Sequence, residues 1–159
     1  PIEIIYTLVP ILIVVGLFAF TIPVDRKVNE RVAHPDVTVE VVGYQWGWQF
    51  RYVGEHVTSL GGDGPGNGPV MVLPRGRTTR LVLRSTDVAH SFWVPRFLAK
   101  RDLIPGVRNS LDVTPTDDGS YVGRCAEFCG LDHWRMDFTV RVVSPAAYER
   151  WLAEQLTGS

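Results

Sequence analysis

The periodicity of apolar and polar positions changes sharply along the chain. From Ile4 to Val24 no residue carries a charge, a run of 21 residues. Wound as a helix, the run reaches about 31 Å, against about 30 Å for the hydrocarbon core of a bilayer. It is expected to span a membrane, and Pro10 and Gly16 are tolerated inside such spans. Residues 25–35 read as a polar linker, in which His34 is solvated. Beyond it the period falls to two. Val37, Val39 and Val41 alternate with Thr38 and Glu40, as in a half-buried strand. Trp46, Trp48, Phe50 and Tyr52 then point one way, and Gln45, Gly47, Gln49 and Arg51 the other.

Further short apolar runs follow, separated by turn residues. Gly61 to Pro69 is rich in Gly and Pro and reads as a loop, with an exposed His56 before it. Val70–Leu73 and Thr79–Leu83 are strands joined at Pro74-Arg75-Gly76, with Met71 as core filler. A strand ending at Asp87 leaves His90 in a loop, and Phe97–Val107 is an irregular connection. Asn109–Val113 and Ser120–Gly123 are short strands, and Phe138, Val140 and Val142 mark the last one. Ser144-Pro145 has the form of a helix start, followed by a stripe of Tyr148, Trp151, Leu152 and Leu156. Many short strands with one terminal helix predict a mainly β fold, a β-sandwich. The expected organisation is a transmembrane helix over 1–24, a linker over 25–35, a β domain over 36–143 and a C-terminal helix over 144–159.

Composition narrows the function. The 159 residues are 45% hydrophobic with a net charge of −1, which points to neither disorder nor nucleic-acid binding. The chain begins at Pro1, which reads as a processed or truncated start, and no signal peptide is evident.

The candidate chemistry is concentrated in residues 125–136, Cys-Ala-Glu-Phe-Cys-Gly-Leu-Asp-His-Trp-Arg-Met, which hold both cysteines of the chain. Thiolates, imidazole and thioether together favour copper, zinc or iron–sulfur. Met is a poor fourth ligand for zinc. A mononuclear blue-copper site uses one Cys, and here there are two. Two thiolates could bridge two coppers, each with its own His, and His90 in Asp87-Val88-Ala89-His90-Ser91-Phe92 is the candidate second imidazole. A Cys125–Cys129 disulfide is the competing reading. The spacing of the four side chains also suits one face of a helix, so periodicity alone leaves helix and loop open.

Cys-x-Glu-x-Cys-Gly-x-x-His-x-x-Met, preceded by Asp-Val-x-His-Ser-Phe-x-Val-Pro, closely resembles subunit 2 of cytochrome c oxidase. The resemblance implies a cupredoxin-like Greek-key β-sandwich with its ligands on loops. It implies a binuclear CuA centre of two copper ions held by His90, Cys125, Cys129, His133, Met136 and the backbone carbonyl of Glu127. It also implies a magnesium or manganese ion on the Glu127 carboxylate at the interface with subunit 1. Gly43-x-Gln45-Trp46-x-Trp48 resembles the aromatic segment beside the copper, with Trp46 as the point at which electrons enter from a c-type cytochrome. Gly47 stands where many members carry Tyr, which is expected to leave the surface beside Trp46 bare. Glu3-x-x-Tyr6-Thr7-x-x-Pro10 resembles the start of the second of two usual spans, with Glu3 at the mouth of a proton pathway.

The implied protein lies in the cell membrane with its copper domain outside, although Arg26, Lys27 and Arg31 after the span would favour the cytoplasm. Its expected partners are subunit 1, other oxidase subunits and a cytochrome donor. Asp87, Asp132 and Asp137 flank the ligands, but so do Arg96, Arg124 and Arg135. Residues 25–159 carry 16 basic and 16 acidic side chains, so a strongly basic free donor is not demanded and a tethered haem domain would serve. A membrane-tethered mononuclear copper carrier and a copper-delivery protein are the alternative functions. A disulfide-stapled subunit like the quinol oxidase relative lacks the ligand set found here.

Overall fold

The computed structural model describes residues 1–61 and 66–157, so Gly62 to Pro65 of the expected Gly-rich loop lie outside the described residues. The chain divides into two units, Pro1–Val32 and Ala33–Ser159. The first unit is one helix, α1, over Ile2–Asn29, long and apolar enough to cross a membrane and with no buried residue. The hydroxyls of Thr7 and Thr21 donate to the carbonyls of Glu3 and Leu17 one turn back, so neither needs water. The helix continues past Val24 through residues read as linker. Asn29 Nδ2 donates to Asp25 O at 3.0 Å, and Arg26 and Lys27 occupy the last turn, where the helix dipole favours cations.

The second unit is a sandwich of two five-stranded sheets. One has the order β3-β2-β1-β5-β8, built from β1 (Val37–Tyr44), β2 (Gly47–Tyr52), β3 (Val57–Leu60), β5 (Thr79–Ser85) and β8 (Asn109–Val113). The other runs β4-β10-β9-β6-β7, from β4 (Val70–Pro74), β6 (His90–Val94), β7 (Ala99–Leu103), β9 (Gly119–Cys125) and β10 (Asp137–Val143). β1 lies parallel to β5 and β10 parallel to β4, while the other named pairings are antiparallel. Pro74-Arg75-Gly76 carries the chain from one sheet to the other, because β4 and β5 belong to different sheets. His90 is the first residue of a strand, not a loop residue, and β7 occupies part of the segment expected to be irregular.

Trp48, Phe50, Phe92 and Phe138 are fully buried between the sheets with Met71, Leu73, Leu81, Leu83 and Leu103. Phe138 stacks on Phe92 with centroids 4.8 Å apart and meets Trp48 edge-on at 5.1 Å. This aromatic floor lies directly beneath the end of the sandwich that carries His90, whose ring stands 6.2 Å from that of Trp48. α2 (Pro145–Thr157) begins with the Ser144 hydroxyl accepting from Ala147 N–H at 3.3 Å. Tyr148 and Leu152 are buried, Trp151 packs its ring on Tyr52 at 5.0 Å, and Leu156 remains exposed.

Tyr52 joins the sheets. Its hydroxyl donates to Val72 O at 3.0 Å and accepts from Val72 N–H at 2.7 Å, tying β2 to the edge strand β4. Burial pushes its ionisation far above the usual phenol range. Tyr52→Phe leaves both Val72 groups without that partner and is expected to cost about 1–3 kcal/mol. A lower denaturation midpoint in urea would register the loss, and an unchanged midpoint would contradict it.

Candidate metal centre

Two pieces of one sheet bring the donors together. β6 pairs with β9 so that Phe92 lies opposite Cys125, which sets His90 beside the end of β9. The chain leaves β9 at Cys125 and returns into β10 at Asp137. Cys125 N–H donates to Met136 O at 3.0 Å and Asp137 pairs with Arg124, so both ends of the intervening loop are closed. Within it, His133–Arg135 forms a single 3-10 turn, with His133 N–H on Gly130 O and Met136 N–H on His133 O. The ligand segment is therefore a loop between strands, not a helix.

The sulfurs of Cys125 and Cys129 lie 3.8 Å apart, well beyond the 2.0 Å or so of a disulfide. Each has its own imidazole: His90 Nδ1 stands 3.9 Å from Cys125 Sγ, and His133 Nδ1 stands 3.5 Å from Cys129 Sγ. Met136 Sδ is 3.7 Å from Cys129 Sγ, and Glu127 O is 3.3 Å from Cys125 Sγ. His90 is wholly buried, and Cys125, Cys129 and Met136 are nearly so. The ligand atoms of His90, Cys125 and Cys129 all lie within 4.8 Å of one another. The Glu127 side chain is exposed. Glu3 lies in α1, in the other unit.

The donor set fits a soft metal. Thiolate–metal bonds of about 2.3 Å allow two sulfurs on one metal to stand up to about 4.6 Å apart. The observed 3.8 Å lies inside that limit. Burial pushes both thiols up, but hydrogen bonds with His90 and with the backbone at Glu127 and Ser91 bring Cys125 down to about 7. For Cys129, burial and then the neighbouring Cys125 raise the thiol to about 12. Two sulfurs this close do not both ionise readily unless a cation offsets their charge. Burial also pulls His90 down, yet the side chains of Cys125 and Asp87 outweigh it and leave its pKa above the ordinary value.

The other imidazole nitrogen of His90 is held too. His90 Nε2 lies 2.8 Å from Asp87 Oδ1, and Asp87 Oδ2 accepts from Gln45 N–H at 2.6 Å. Burial would raise the Asp87 carboxyl, but these bonds and that from Val88 N–H hold it below the usual range. Such a carboxylate fixes the ring orientation of a metal-binding His. Asp87 therefore faces inward, and Asp132 pairs with Arg135 at 3.1 Å, so two of the flanking acids are internally committed. In the Asp-Val-x-His sequence Asp87 reads only as a flanking charge, and Gln45 reads only as part of the aromatic segment, with no sign of its contact to Cys129.

Trp46 lies in the turn before β2, half-buried, and its indole N–H donates to Cys129 O at 3.1 Å. Gln45 Nε2 donates to the same carbonyl at 2.7 Å. Gly130, at φ +122°, lets the loop close on them, because a Cβ there would press within 3.1 Å of the indole. The surface beside Trp46 is not bare. The Tyr44 ring covers Gly47, where a Cβ would meet it at 2.8 Å, so an aromatic on β1 fills the place left by the missing one on β2. Around the loop, Phe128, Leu131 and Trp134 are strongly exposed.

A family model described as cytochrome C oxidase subunit II, periplasmic domain, matches residues 67–143. The chain is 42% identical to a probable cytochrome c oxidase subunit 2 of Streptomyces avermitilis over 97% of its own length and 60% of the relative's. It thus spans about 60% of that curated relative. Among solved structures it resembles the periplasmic domain of subunit II of cytochrome oxidase of Bradyrhizobium japonicum, with a TM-score of 0.71 and 30% identity over 80% of this chain and 99% of that one. It also resembles a subunit II periplasmic domain captured in a mixed disulfide with a thioredoxin-like protein, with a TM-score of 0.68 and 28% identity over 82% of this chain and 97% of that one.

Proposed function

The chain belongs to the cytochrome c oxidase subunit II family, and on that premise we propose that it is the subunit through which electrons enter a haem–copper oxidase. In this reading it takes electrons from a c-type cytochrome at a binuclear CuA centre and passes them to haem in subunit 1. The observation that carries it is the pair of sulfurs 3.8 Å apart, each beside its own imidazole. Cys125 and Cys129 would bridge two coppers, His90 and His133 would complete them, and Met136 Sδ and Glu127 O would serve as weak ligands. Bound there, the copper pair would supply one-electron acceptance and release with little change in geometry. Soft, largely buried donors on a rigid sheet end suit that task. With the ring of His90 fixed by Asp87, little is left to rearrange.

Trp46 is assigned as the contact for the donor, because its indole bonds the carbonyl of a bridging cysteine and its ring is half-exposed. Phe128, Leu131 and Trp134, exposed on the ligand loop, add apolar and aromatic surface suited to a haem-bearing partner, free or tethered. The apolar α1 would anchor the chain in the cell membrane, with the copper domain on the extracytoplasmic side. Glu3, in the first turn of α1, is assigned to a proton pathway into subunit 1 on the resemblance of its surroundings.

The test is the metal content of the chain in detergent. Two coppers per chain, with one unpaired electron shared between them in the oxidised state, are expected. A single copper in fully loaded protein would favour the mononuclear carrier and overturn the binuclear reading.

The exposed Glu127 carboxylate is assigned to a magnesium or manganese ion at the interface with subunit 1, since carboxylate oxygen suits such hard cations. Glu127→Ala changes only the side chain, so both coppers and their optical bands should persist. In oxidase assembled with this chain and grown on manganese, the manganese EPR signal should be lost or altered. An unchanged manganese signal would rule the carboxylate out as a ligand.

A further inference from the structure

The strands fix most of the metal centre directly. The β6–β9 pairing sets Cys125 beside His90, and the Cys125 N–H···O Met136 bond places Met136 at the loop's closing end. Cys129 is different, because it sits in the middle of the loop, away from any strand. Its carbonyl is held from outside the loop, by Gln45 Nε2 at 2.7 Å and Trp46 Nε1 at 3.1 Å. The backbone N–H of the same Gln45 holds Asp87 at 2.6 Å, and Asp87 holds His90 at 2.8 Å. One residue thus grips both ligand segments, one through its main chain and the other through its side chain. Gln45 is itself exposed, so packing does not require a glutamine there.

We propose that Gln45 is a positioning residue of the metal centre, a bracket that fixes Cys129 relative to His90 through the Gln45–Asp87 and Gln45–Cys129 bonds. This rests on the reading of the site as binuclear copper. With the side-chain donor gone, Cys129 O keeps only the longer bond from Trp46, and the loop midpoint gains freedom. The spread of sulfur–sulfur distances then widens, and Cys125 and Cys129 would hold the copper pair less firmly. Outer-sphere ties to metal ligands commonly carry effects of about 10–100-fold on metal affinity.

The variants are Gln45→Glu, equal in length but without a side-chain donor at neutral pH, and Gln45→Ala. Both keep the backbone N–H to Asp87. In the metal-free chain in detergent, each should move the Cys129 carbonyl 13C resonance while core methyls such as those of Leu81 stay in place. In the copper-loaded chain, each should release copper to a chelator about tenfold faster and change the hyperfine pattern of the shared electron. Purely structural damage would move the core methyls as well, and that outcome overturns the proposal. So does a carbonyl resonance, release rate and spin signal equal to wild type. Fewer than two coppers in the wild-type chain would overturn the binuclear reading instead, and the metal-free carbonyl shift would still judge the bracket on its own.

Discussion

Cys125→Ser or Cys129→Ser is expected to abolish the shared-electron copper signal and to cost the chain more than about 100-fold in copper affinity, beyond what outer-sphere changes produce. Each sulfur lies beside an imidazole, and the two lie 3.8 Å apart, so in the proposed centre each would serve both metals. A serine hydroxyl is nearly the same size, but it is a hard donor that stays protonated at neutral pH. The sites are 7% and 3% exposed, so the change alters chemistry far more than packing. Copper per chain and low-temperature EPR measure the outcome, with near-ultraviolet circular dichroism as the check on folding. A serine variant with a wild-type spin signal would remove that cysteine from the bridge.

Trp46→Ala should slow reduction by the donor at least about tenfold, a rise of about 1.4 kcal/mol in the barrier. Copper content and spectrum should be almost unchanged. The reasons lie in the bonds around Cys129. The indole donates to Cys129 O, and Gln45 keeps that carbonyl held when the indole is gone. Stopped-flow reduction by the cytochrome, set against reduction by a small artificial donor, separates the two effects. The small donor should remain fast. Equal rates with the cytochrome before and after the change would make Trp46 a packing residue only.

Much of this was legible from residue order, for physical reasons. The uncharged run after Glu3 has one structural outcome, and alternation in β1, β2 and β10 marks strands because one face must be dry. The cluster of soft donors in residues 125–136 announces its chemistry by side-chain type. What stayed hidden depends on which strands meet. β4 and β5 read as neighbours because a turn joins them, but the turn changes sheets. His90 read as a loop residue because Asp87 and Ser91 flank it, yet its pairing with Leu103 on β7 draws it into a strand. Tyr44 and Gly47 are three residues apart, and only the β1–β2 register lays the ring over the glycine. Gln45 and Cys129 are 84 residues apart, and no local pattern connects them.

The place of β10 in its sheet has a consequence for when the centre can form. It is the last strand in the chain, yet it lies between β4 and β9, well inside the sheet. Until it arrives, two strands that end up as neighbours of β10 have open edges, exposed to pairing with other chains. Its partners also lie far back in sequence, Val70 opposite Thr139 for one, and such distant pairings form slowly. Met136 directly precedes β10, and the bond that closes the ligand loop waits on the same docking step. During synthesis the two cysteines therefore emerge, paired with an unfinished sheet, before their cage exists. In the proposed copper centre, metal would therefore be held only once β10 has docked and closed the loop.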